Sequence, residues 1–129
     1  MQVEKLKEMY LKYSLTEADV FKHQHYIILT RSGIEKVSAL ENIDITYEVI
    51  KCETNFAVVK ATAIKGGKRI ETFGSALKGA GFKDGSTNSW YVMELAEKRA
   101  LSRATLKMTG LYEQGVFGQD ESESFKREE

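Results

Sequence analysis

Three cationic side chains, Arg99, Arg103 and Lys107, recur at every fourth position. On a helix of 3.6 residues per turn they form one row about 12 Å long. Like charges at this spacing repel by a few tenths of a kcal/mol. Apolar residues flank the row on both sides, so its charges are partly desolvated and require a compensating neighbour. Three arrangements supply one. The stems can snorkel and leave their heads in water. Sheet carboxylates such as Glu48 or Glu71 can pair with them. Or the row can floor a groove that receives the phosphates of a nucleic-acid strand. Lys98 stands beside the row. Lys60, Lys65, Lys68 and Arg69 form a second basic group, and Arg31 lies apart from both.

The charge distribution along the chain agrees with a polyanion partner without requiring one. The 129 residues carry 19 Lys and Arg against 19 Asp and Glu. The cancellation is not local. Between Lys60 and Lys107 there are ten basic and four acidic residues, whereas Glu113–Glu129 holds six acidic and two basic. Hydrophobic residues make up 42% and charged residues 29%, the profile of one globular domain with a real core. The expected division is a single domain over 1–118 and an acidic flexible tail over 119–129. No apolar run approaches the length of a membrane span, and no apolar leader opens the chain. The single Cys52 excludes an internal disulfide and a multi-cysteine zinc site. A reducing, cytoplasmic compartment is expected, with Cys52 as a buried small apolar residue.

Other candidate chemistry is sparser. His23 and His25, two apart with Asp19 nearby, share one face of a strand and form a possible metal pair. A small metal-dependent hydrolase built on them is one alternative function. Gly79-Ala-Gly81 lacks the strand-to-helix pattern of a phosphate loop. It reads as a flexible segment whose Lys78 and Lys83 lie within reach of DNA. Trp90, Tyr47, Phe56 and Phe73 are candidates for base stacking, with core packing as the plainer expectation.

The elements that must position these residues follow from periodicity. Val3, Leu6, Met9, Tyr10 and Tyr13 mark an amphipathic helix over 2–13. Thr16 to Asp19 resembles a capping box that opens a turn or two. Residues 25–29 read as a strand, and Ser32 to Glu35 as a capping box for a helix ending near Glu41. Ile43, Ile45, Tyr47 and Val49 alternate with polar residues, as on a half-buried strand. Phe56–Ile64 reads as a central strand. Gly66-Gly67 closes a hairpin that wants positive φ at both positions, and the third strand runs to about Phe73. A long helix is expected from Trp90 to Thr109, capped by Asn88 or Ser89 and stopped by Gly110. Met93, Ala96, Ala100, Leu101, Ala104 and Met108 share its broad apolar face. Tyr91, Glu94, Lys98, Ser102 and Thr105 form its polar side. The expected fold is α+β: a three- or four-stranded mostly antiparallel sheet in a β-β-β-α core, with the long helix on one face and short N-terminal helices.

Thr72-Phe-Gly-Ser-Ala76, followed by a loop and Ala96-Glu-Lys-Arg-Ala-Leu-Ser-Arg-Ala-Thr-Leu-Lys-Met-Thr-Gly110, resembles the core signature of single-strand annealing proteins. That superfamily includes phage recombinases and the eukaryotic Rad-fifty-two-type annealing protein. The likeness covers roughly residues 24–112. It implies a non-enzymatic activity needing no nucleotide, metal or other cofactor. It also implies that the chain binds single-stranded DNA as a ring or filament of identical subunits. The subunits would pair complementary strands in recombination and repair. The family holds DNA in a basic groove between sheet and helix. Lys98 and Arg99 match its basic pair, Arg103 and Lys107 extend the row, and Arg31 is near but offset from a further basic position. Beside the metal-dependent hydrolase, the remaining alternative is a protein-binding structural module whose basic row pairs internally.

Overall fold

The computed structural model describes residues 2–23, 26–79 and 91–119. The chain runs α1 (Gln2–Tyr13), β1 (Val20–His23), β2 (Tyr26–Leu29), α2 (Arg31–Leu40), β3 (Asp44–Cys52), β4 (Phe56–Lys65) and β5 (Lys68–Leu77). It continues with α3 (Val92–Thr109), a 3-10 turn (Tyr112–Gln114) and β6 (Val116–Gly118). The architecture is α+β, with the long helix packed on an antiparallel sheet of order β3-β4-β5. A second sheet has the order β1-β2-β6, in which β2 pairs antiparallel with β1 and parallel with β6. No helix among the described residues is long and apolar enough to cross a membrane.

Alternation builds the larger sheet. On β4, Ala57, Val59, Ala61 and Ala63 are buried while the residues between them face the open side. On β5, Thr72, Gly74 and Ala76 are buried and Arg69, Glu71, Phe73, Ser75 and Leu77 are exposed. The buried residues are small, and so is the row that meets them, Ala96, Ala100 and Ala104. Small residues on both sides bring α3 unusually near. Thr72 Oγ1 donates to Ala100 O at 2.9 Å. A Cβ on Gly74 would lie 2.2 Å from Ala96 O and 2.4 Å from Ala100 N.

The opposite side of α3 is also buried. Leu106 belongs to a second core with Met9, Tyr13, Leu15, Val20, Ile27, Leu29, Ile34, Val37, Leu111 and Val116. Each fully buried Ile or Leu there contributes about 1.5–3 kcal/mol of transfer free energy. Because α3 lies between two cores, Ser102 and Thr105 are buried rather than exposed. This corrects the expected polar side. Thr105 Oγ1 has no hydrogen-bond partner among the described residues.

Several local expectations change for identifiable reasons. The Thr16 turn does not become a helix but leads into β1. Its capping contact is nevertheless made, with Thr16 N donating to Asp19 Oδ2 at 2.8 Å. The N-cap of α2 is Thr30, whose hydroxyl accepts from Gly33 N, and not Ser32. Only Gly66 of the hairpin takes positive φ, 60°. β5 continues four residues past Phe73, through Gly74 and Ser75, to Leu77. The N-cap of α3 is Tyr91, with no side-chain cap, and Gly110 closes the helix at φ 75°. Asn88, Ser89, Trp90, Lys83, His25 and the tail beyond Gln119 lie outside the described residues. Cys52 is exposed, at the end of β3, not buried. Tyr47 and Phe73 are exposed as well, and Phe56 is half-buried.

Asp19 ties the N-terminal elements together. It is 2% exposed. Its carboxylate accepts from Thr16 N, Thr16 Oγ1, Ser32 Oγ and Lys36 Nζ, the last at 2.6 Å. Burial pushes its pKa upward, but Lys36, Ser32 and Thr16 together outweigh burial and hold it well below the usual carboxylate range. Stability from a depressed carboxylate is complete above its unfolded value and is lost as pH falls toward the folded one. Asp19→Asn should therefore cost about 2–3 kcal/mol near neutral pH. The loss should shrink below about pH 4, as measured by urea unfolding at pH 7 and pH 3. Glu41 adds to the same acid limit. Lys65, then the Tyr13 hydroxyl, lower its pKa to about 2 against burial, with Lys12 assisting.

Candidate nucleic-acid interface

Arg99, Arg103 and Lys107 lie along the side of α3 that borders β5. The two-residue hairpin pairs Lys65 with Lys68, so even-numbered residues of β5 bond to β4 and odd-numbered ones turn their backbone groups to the free edge. Arg99 Nη1 donates to Ser75 O at 2.6 Å, and Arg103 Nη1 to Phe73 O at 2.7 Å. Both acceptors are edge carbonyls. None of the three expected arrangements includes such a contact. Lys107 is exposed, and it has no ion-pair partner among the described residues.

Glu48 and Glu71, the carboxylates expected to pair with the row, instead bind Lys60 on the open face of the sheet. Lys60 Nζ lies 2.8 Å from Glu71 and 3.6 Å from Glu48. These bonds raise the Lys60 pKa and lower that of Glu71, in each case chiefly through their mutual hydrogen bond. Arg69 approaches Glu71 at 3.7 Å. Lys65 anchors Glu41 at 2.6 Å. Arg31 pairs with Glu35 one turn along α2 at 3.1 Å. The predicted cations therefore do not converge. The row borders β5, Lys60 and Arg69 sit in a carboxylate network on the open face, Lys65 and Lys68 flank the hairpin, and Arg31 is on α2. Lys98 lies 100° around α3 from Arg99, off the row.

The C-terminal end of the row opens on a cleft of about 550 Å³, lined by Glu71, Thr72, Phe73, Arg103, Lys107, Tyr112 and Phe117. Tyr112 and Phe117 went unnoticed in the sequence. They follow the helix stop in a short stretch with no periodicity, and β6 has only three residues. The Phe117 ring is held between two others, edge-on to Tyr26 at 5.0 Å and tilted against Tyr112 at 5.6 Å.

The metal alternative gains no support from Asp19. Both of its oxygens are engaged by Lys36, Ser32 and Thr16, as above. Among the described residues no group of three or more His, Cys, Asp or Glu side chains could hold a metal ion. Comparisons with models of known families, with curated proteins and with solved structures gave no match.

Proposed function

We propose that this protein binds single-stranded DNA through the basic row of α3 and anneals complementary strands as an oligomer, without a nucleotide cofactor, in recombination or repair. One observation carries the reading. Arg99, Arg103 and Lys107 run side by side along a sheet edge and end at a surface cleft. A strand laid along the row meets fixed charges at its phosphates, which gives affinity independent of sequence. Base edges stay free to pair. Lowered phosphate repulsion lets a second strand approach. The resemblance of Lys98-Arg-Ala-Leu101 and Gly110 to the annealing signature points the same way.

The test is oligonucleotide binding by fluorescence anisotropy across a salt series, with strand pairing followed in parallel. Affinity should fall steeply with salt. Lys107→Ala touches no described hydrogen bond, so it should fold normally, bind a few-fold more weakly and flatten the salt slope by about 0.7. No binding of any single strand at low salt would remove the proposal. A second reading is favoured by the two arginine–carbonyl bonds: the row caps a sheet edge and serves architecture alone.

A further inference from the structure

We infer that the cleft at the end of the basic row is a base-stacking site, which takes nucleobases of the strand whose phosphates follow α3. The inference deepens the single-strand reading and rests on it. Its volume lies within the range of ordinary small-molecule sites, and its walls divide by chemistry. Arg103 and Lys107 supply positive charge on the helix side. Phe73, Tyr112 and Phe117 line the cleft from β5, the 3-10 turn and β6. Phe73 is 51% exposed, so its apolar surface is open to contact. Phe117 is braced by Tyr26 and Tyr112, so little conformational freedom remains to be lost on stacking. Glu71 also lines the cleft, but Lys60 and Arg69 already engage its carboxylate.

The geometry sets a limit on how many bases are held. The cleft meets the row at Arg103 and Lys107, whereas Arg99 does not line it. Phosphates along the N-terminal part of the row therefore carry bases that turn to solvent, and only those beside Arg103 and Lys107 reach the rings. Stacking engages the face of a base and tolerates any sequence. It leaves the hydrogen-bonding edge unclaimed, as strand pairing requires.

The decisive comparison is an oligo-dT strand against an abasic phosphodeoxyribose strand of equal length, by anisotropy at fixed salt. The protein should bind oligo-dT about 10- to 100-fold more tightly. Tyr112→Leu should erase most of that preference while leaving the abasic affinity and its salt slope unchanged. If Tyr112→Leu fails to fold, Phe73→Thr serves instead, because Phe73 belongs to neither core. Equal affinity of the wild type for both strands overturns the stacking site and leaves the phosphate reading intact. A preference that survives the substitution in a folded variant also overturns it, by placing the base contacts elsewhere. Failure to bind either strand removes the underlying reading instead.

Discussion

Gly74→Ala should be the most damaging single-methyl change in the described chain, costing about 3–5 kcal/mol and lowering the melting temperature by about 10–20 °C. The cause is space, not backbone freedom, because Gly74 does not have positive φ. Its added methyl would meet Ala96 O, Ala100 N and Arg99 Cβ at 2.2, 2.4 and 2.9 Å. Two of these atoms are helix backbone, so trimming Ala96 or Ala100 to glycine would not relieve them. The helix would have to lift from β5, stretching the Thr72–Ala100 bond and shifting the arginines off their carbonyls. Gly66→Ala is the control. It is strained at φ 60° but has nothing within 4 Å, and should cost only about 1 kcal/mol. Calorimetry decides. A Gly74→Ala protein within 1 kcal/mol of wild type would mean that α3 and β5 are not this close.

The same glycine shows where sequence reasoning stops. The strand was expected to end at about Phe73, yet it runs through Gly74 and Ser75 to Leu77. A glycine in a strand marks a place where another backbone comes near, and that reading needs the partner helix, which lies far along the chain. β3 was legible as a strand from its alternation and β4 from its β-branched residues, both local signals, although Tyr47 and Val49 of β3 are exposed rather than half-buried. β1 was not, since Val20–His23 lacks the apolar run that marked β2, and β6 was not, since it has three residues and its pairing with β2 is non-local. Ser102 and Thr105 were misplaced for a different reason. Side-chain type predicts exposure only for a helix with one buried face, and α3 is buried on two. At the site, the spacing of Arg99, Arg103 and Lys107 was legible from helical geometry. Their acceptors were not, because no sequence pattern shows which carbonyls a sheet leaves unpaired.

The carbonyl bonds of Arg99 and Arg103 decide how the two arginines are tested. Arg99→Ala with Arg103→Ala should lower single-strand affinity about 10- to 100-fold near 0.1 M salt and flatten the salt slope by about 1.4, the share of two phosphate contacts. The pair also loses the two described carbonyl hydrogen bonds on an exposed edge, each worth about 0.5–1.5 kcal/mol. It further leaves Phe73 O and Ser75 O without these donors on an edge open to strand pairing. Weaker binding alone would thus not separate a DNA contact from a damaged edge. Arg99→Lys with Arg103→Lys separates them. Lysine keeps the charge that phosphates read but lacks the planar fork that reaches a carbonyl from this distance. If the row serves DNA, the lysine pair should bind within a few-fold of wild type and retain its salt slope, while the alanine pair does not. If the row serves only the edge, both pairs should lose stability and change their elution on gel filtration together. Any single-strand binding would then be the same in all three proteins. Identical affinity and slope in a folded alanine pair would remove the two arginines from the DNA contact.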